Sequence, residues 1–129
     1  MTKTILIVED EDTLRNVLRE KLEKENFSVL EAKNGQEGLD LALAKKPDLI
    51  LLDIVMPVMD GLTMAKKIRE EERKAGKLSE GQMPIIFLTN LSDEKTLSSG
   101  QQAGVYDYLV KATWTLDGII KKIKDKFGE

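Results

Sequence analysis

The chain has 129 residues, 41% hydrophobic and 33% charged, and its 20 basic and 23 acidic side chains leave a formal net charge of −3. Such a length predicts one domain (1–129, core 3–127) that buries roughly 60% or more of its unfolded surface, and the acid-leaning balance gives no support for direct binding to nucleic acid. With neither Cys nor His there is no thiolate site, histidine base or internal phosphohistidine, so any nitrogen-bound phosphate must come from another molecule.

The first apolar run, Ile5-Leu6-Ile7-Val8, predicts a strand over 4–8. Leu14, Val17, Leu18 and Leu22 then recur at helical spacing, with Asp12 or Thr13 placed to cap that helix. Phe27 to Glu31 alternates as a second strand would, and Leu39, Ala42 and Leu43 mark a second helix that stops before Pro47. Residues 48–52 read as a strand apolar on both faces, the pattern of a central parallel strand covered by helices on each side. Gly61 precedes a third helix carrying Leu62, Ala65 and Ile68, whose end runs into a polar stretch over 71–83. Pro84 opens a fourth strand that reaches Thr89, at a place where a missing N–H is tolerated. A fourth helix is expected over 93–103, with Leu97 as its only large apolar residue and with Ser98, Ser99 and Gly100 lowering its propensity. A fifth strand over 106–110 follows. The last helix carries Leu116, Ile119, Ile120, Ile123 and Phe127 on one stripe. No apolar run approaches the roughly 18 residues of a membrane span. The early first strand leaves no room for a signal peptide, so no membrane partner is expected and the cytoplasm is the expected location.

Five strand–helix units without a repeat or linker predict an α/β fold, a doubly wound five-stranded parallel sheet with five helices and right-handed crossovers. The flavodoxin-like order 2-1-3-4-5 fits the length and sets the switch point between strands one and three. Ligands of such sheets bind beyond the carboxyl ends of the strands. There this chain sets, in turn, Glu9-Asp10, Asp53, Thr89 and Lys111.

Glu9, Asp10 and Asp53 would form a cluster of three carboxylates whose mutual repulsion raises a pKa or recruits a cation. Oxygen ligands alone suit a hard ion, Mg²⁺ or Mn²⁺. The same Glu-Asp-Glu-Asp run is also a natural turn and helix start. Asp53 is the candidate nucleophile toward phosphorus, giving an aspartyl phosphate. Catalysis then rests on positioning and charge neutralisation, with Lys111 on one phosphoryl oxygen and Thr89, beside backbone N–H groups near 54–55 and 90, on another. Singly, Lys111 reads as a solvated lysine after an edge strand and Thr89 as an ordinary strand residue. Together, the four strand ends favour a phosphate-accepting switch.

Ile-Leu-Ile-Val-Glu-Asp-Glu, Asp-Leu-Ile-Leu-Leu-Asp-Ile-Val-Met-Pro-Val-Met-Asp-Gly, Pro-Ile-Ile-Phe-Leu-Thr and Tyr-Asp-Tyr-Leu-Val-Lys resemble the response-regulator receiver domains of bacterial two-component signalling across 3–127. The resemblance implies a phosphorylation-dependent signalling domain rather than an enzyme acting on outside substrates. Asp53 would be phosphorylated by a sensor histidine kinase, a phosphotransfer protein or a small phosphodonor. It implies Mg²⁺ held by Asp10, Asp53 and the backbone carbonyl of Val55, with Glu9 acting through the ion's water and Lys111 sensing the phosphoryl group. Thr89 and Tyr108 would be the switch pair, altering the surface of the fourth helix, fifth strand and fifth helix toward a downstream protein or a phosphorylation-dependent homodimer.

Three departures from the family pattern stand out. Ala112 follows the lysine where the family has proline across a cis bond, Asn90 follows the switch threonine where a small residue is usual, and the 71–83 stretch is long. Ala112 and Asn90 are the features that would suit a pseudo-receiver, a phosphorylation-independent binding module. A flavin-binding protein of the same topology is opposed by Glu9 to Asp12, which repel an anion, and a metal-dependent phosphatase lacks a visible substrate pocket. Val55 and Leu91, both apolar near the acceptor, predict slow loss of the phosphoryl group.

Overall fold

The computed structural model describes residues 2–77, 81–90 and 94–128, with the side chains of 94–97 not described. Its elements in chain order are β1 Thr4–Val8, α1 Asp12–Lys24, β2 Ser28–Ala32, α2 Gly35–Lys45, β3 Leu49–Leu52, α3 Gly61–Lys74, β4 Ile85–Thr89, α4 Glu94–Gln102, β5 Asp107–Val110 and α5 Leu116–Lys126. The sheet is parallel throughout in the order β2-β1-β3-β4-β5. The expected doubly wound architecture is present, and the fold is flavodoxin-like.

Period-two alternation divides the central strands between two cores. Leu6, Val8, Ile50, Leu52, Ile85 and Phe87 meet Leu39 and Ala42 of α2 and Met64, Ala65 and Ile68 of α3 on one face. Ile5, Ile7, Leu49, Leu51, Ile86, Leu88 and Leu109 meet Leu18 and Leu22 of α1 and Ile119, Ile120 and Ile123 of α5 on the other. Each such Leu or Ile contributes roughly 1.5–3 kcal/mol by leaving water. This two-sided burial explains why β1, β3 and β4 read as unbroken apolar runs rather than alternating ones.

Several local expectations shift. Glu11, not Asp12 or Thr13, is the N-cap of α1 and makes no side-chain cap bond, while Asp12 is the first helical residue. Val17 and Leu43 face solvent. On α1, Arg15 takes the buried place in phase with Leu18 and Leu22. β2 begins at Ser28, with Phe27 packed on Phe127 at 6.1 Å between ring centroids. Gly61 is the first residue of α3, capped by Asp60, whose carboxylate accepts the Thr63 N–H at 2.8 Å. Among the described residues no helix is long and apolar enough to cross a membrane.

Register sets the ends of β1 and β3 level with each other and carries β4 and β5 two residues further. Val8 pairs with Leu52, Leu52 with Phe87 and Phe87 with Tyr108. Glu9 and Asp53 therefore leave the sheet side by side, with the Asp53 N–H donating to the Val8 carbonyl at 3.0 Å. Thr89 pairs with Val110, and the Lys111 N–H donates to the Thr89 carbonyl at 2.9 Å.

Candidate functional site

Glu9, Asp10 and Asp53 meet above the carboxyl ends of β1 and β3, each with a carboxylate oxygen within 4.8 Å of the others'. Glu9 and Asp53 are buried, at 2% and 6% exposure, whereas Asp10 faces solvent. Lys111 reaches in from the end of β5, its Nζ 2.7 Å from Glu9 Oε1 and 3.0 Å from Asp53 Oδ2. Three carboxylates and one ammonium leave a formal charge of −2. Burial pushes the Glu9 carboxyl up to about 7, against the hydrogen bonds from Lys111 and the Glu11 N–H that pull it down. Burial pulls the Lys111 ammonium down, but its bonds to Glu9 and Asp53 and their charges outweigh that, leaving it raised.

The donor set fits a hard divalent cation. All three ligand candidates offer carboxylate oxygen, the net charge is opposite and equal to that of such an ion, and the three lie near enough together to share one. Among the described residues Lys111 alone pairs with these two buried acids, so Glu9 and Asp53 are an incompletely compensated pair.

The loop after Asp53 is fixed by close backbone approach. A Cβ on Gly61 would lie 2.2 Å from the Asp53 carbonyl oxygen, and the Gly61 N–H donates to the Ile54 carbonyl at 2.8 Å. Gly35, at the start of α2, likewise comes so near that its N–H donates to the Met59 carbonyl at 3.1 Å. Between them Val58 has φ 70° at 80% exposure, a left-handed conformation that a β-branched residue rarely adopts. Val55, two residues beyond Asp53, is exposed.

Thr89 is buried at the last position of β4, and Asn90 beyond it is exposed. Tyr108 is half-buried with its ring edge-on to Phe87, centroids 5.9 Å apart. Phe87 and Thr89, two apart on one strand, share a face, and a Cβ on Gly100 of α4 would lie 3.2 Å from the Phe87 ring. Phe87 thus touches Tyr108 and lies against Gly100 of α4. Among the described residues no peptide bond is cis, so Lys111–Ala112 is trans and the ammonium still reaches the acids. Leu91 lies outside the described residues.

The sequence reading passed over Arg15, whose Nη1 donates to the Glu9 carbonyl at 2.8 Å. The signal available was its phase, since 15, 18 and 22 lie on one helical stripe.

Comparison with known proteins gives the family and the fold. The family model described as the response regulator receiver domain matches residues 5–124. The transcriptional regulatory protein SrrA of Staphylococcus aureus is 42% identical over 111 residues, which are 86% of this chain and 42% of that protein. The chain therefore spans less than half the length of those curated relatives. A CheY-like response regulator receiver domain protein from Methanospirillum hungatei superposes with a TM-score of 0.85 at 26% identity, over 98% of this chain and 94% of that one. The chemotaxis protein CheY4 of Vibrio cholerae gives 0.82 at 25% identity, over 97% and 98%.

Proposed function

The chain belongs to the response regulator receiver domain family, and on that premise we propose that it is a phosphorylation-dependent switch whose acceptor is Asp53. Receiver domains of two-component systems serve as such switches between histidine kinases and downstream effectors. For this chain the donor would be a sensor histidine kinase, a phosphotransfer protein or a small phosphodonor in the cytoplasm, and the recipient a downstream protein or a second phosphorylated copy.

The observation that supports the reading is the convergence of the ends of β1, β3 and β5, with Lys111 Nζ on both Asp53 and Glu9 and Asp10 alongside. An Asp53 carboxylate oxygen forms the new O–P bond while the donor's bond to phosphorus breaks, its electron pair leaving with the donor. The Lys111 ammonium, already 3.0 Å from Asp53 Oδ2, turns to a phosphoryl oxygen. The Thr89 hydroxyl closes on another. Asp10, Asp53 and the Val55 carbonyl would hold Mg²⁺ (or Mn²⁺), with Glu9 acting through water. When bound, that ion supplies neutralisation of phosphoryl charge. Movement of Thr89 frees space along the shared face toward Phe87 and Tyr108, and α4 rests on Phe87 through Gly100. The α4–β5–α5 surface would be the output face.

The test is intact-protein mass after incubation with acetyl phosphate and Mg²⁺. A gain of about 80 Da, one phosphoryl group, that is lost in Asp53→Ala and with EDTA supports the reading. A folded protein that takes no phosphoryl group would point instead to a phosphorylation-independent binding module.

A further inference from the structure

Arg15 occupies a core position of α1, yet it is a guanidinium at 7% exposure. An apolar side chain would complete the stripe with Leu18 and Leu22 at no desolvation cost, whereas a buried charge is costly unless its donors are satisfied. Its donors go to one region. Nη1 donates to the Glu9 carbonyl at 2.8 Å, Nη2 pairs with Asp12 Oδ1, and Nε lies 3.7 Å from Glu31 Oε1 on β2. One side chain thus ties the end of β1 to the first turn of α1 and to the neighbouring strand.

The Glu9 carbonyl belongs to the peptide unit that joins Glu9 to Asp10. That unit is planar, so the Cα atoms of both acids lie in the plane that the carbonyl oxygen helps define. Fixing the oxygen fixes the plane from which the two carboxylates depart. Glu9 then points down to Lys111, and Asp10 stands exposed on the other side of the same bond.

We propose that Arg15 is a positioning residue for the divalent-cation site: its bond to the Glu9 carbonyl sets the plane that aims Glu9 and Asp10 at a shared ion with Asp53. This inference rests on the reading of that acid cluster as a cation site. Its sign is distinctive. A nearby cation taken as charge alone opposes Mg²⁺, so removing it should tighten binding. Removing a positioning group should weaken binding, because partners behind the ligands typically account for about 10–100-fold in metal affinity.

Isothermal titration of the whole chain with MgCl₂, after circular dichroism confirms folding, separates the two. Arg15→Met keeps the apolar stem and is expected to raise the Mg²⁺ Kd by about 10-fold or more. Arg15→Lys keeps the charge but loses the fork, and it is expected to weaken binding as well. Unchanged or tighter binding by folded Arg15→Met would overturn the proposal. Where Arg15→Met does not fold, Arg15→Lys decides alone, and wild-type affinity in it counts against positioning. A wild-type chain that takes up no Mg²⁺ sinks the cation site itself, and this inference with it. Wild-type binding with unaltered variants sinks the role of Arg15 only.

Discussion

The ammonium of Lys111 lies 3.0 Å from Asp53 Oδ2, across 58 residues of chain, while the same nitrogen holds Glu9 Oε1 at 2.7 Å. One cation between two buried acids ties β5 to β3 and β1. Lys111→Met removes the counter-charge that the two carboxylates share. The expected loss of stability in EDTA is about 2–3 kcal/mol, just below the range for a fully buried pair broken from one side. If the site takes Mg²⁺, adding the ion to the variant recovers much of that loss by mass action. Urea midpoints with and without Mg²⁺ provide the check, and a loss that Mg²⁺ leaves untouched would contradict the site reading.

Gly61 lets the backbone return to within contact of the acceptor. A methyl there would sit 2.2 Å from the Asp53 carbonyl oxygen, and the obstacle is backbone rather than a mobile side chain. Gly61→Ala should therefore shift the residue that carries the acceptor. The expected cost is about 2–3 kcal/mol, the upper part of the range for overpacking, together with slower labelling by acetyl phosphate. Labelling at the wild-type rate in a destabilised Gly61→Ala protein would show that the loop moves without moving the Asp53 carboxylate.

The parts of this molecule that were legible in its sequence are those that side-chain patterning encodes. Ile5 to Val8 and Leu49 to Leu52 are buried on both faces, so their runs announced central strands, and the acids and the ammonium at the strand ends are the groups that the structure brings together. Patterning failed where a charged side chain occupies an apolar phase. Val17 was expected inside and Arg15 was not, because a guanidinium is buried only when backbone carbonyls and acids receive it, and apolar periodicity does not record those partners. The polar stretch over 71–83 was opaque for the same reason. Glu72 accepts the Met83 N–H at 2.6 Å, a bond between a helix and the chain leading into β4 that no periodicity records.

Glu9 makes stability depend on pH. Its folded value, about 7, stands above its ordinary 4.5, so between those values the folded protein holds a proton that the unfolded chain has released. Stability from this group is present below about pH 4.5 and is lost as pH rises through about 7. In EDTA, the melting temperature of wild type minus that of Glu9→Gln should fall by a few degrees between about pH 5 and about pH 8. A difference that stays constant over that range would mean that Glu9 ionises at its ordinary value.

Arg69 and Glu72, one turn apart on α3, form a second buried network. Arg69 Nη1 lies 2.7 Å from Glu72 Oε1 and 3.0 Å from the Met83 carbonyl, which it also serves as donor. Its Nε donates to the Ala103 carbonyl at 2.7 Å and its Nη2 to that of Gly104 at 3.2 Å, just past the end of α4. The pair therefore joins α3 to the start of β4 and to the turn between α4 and β5. Arg69→Met strands a buried carboxylate and three carbonyls, and should cost about 3–5 kcal/mol. Glu72→Met also breaks the pair but leaves the carbonyls served. Because each single change exposes a penalty that the other partly removes, the double variant should be less destabilised than the sum by about 1–3 kcal/mol. A urea-unfolding cycle on the four proteins measures this coupling. Additivity within about 0.5 kcal/mol would show that Arg69 acts through the backbone carbonyls alone, with Glu72 held by Met83 and not by the guanidinium.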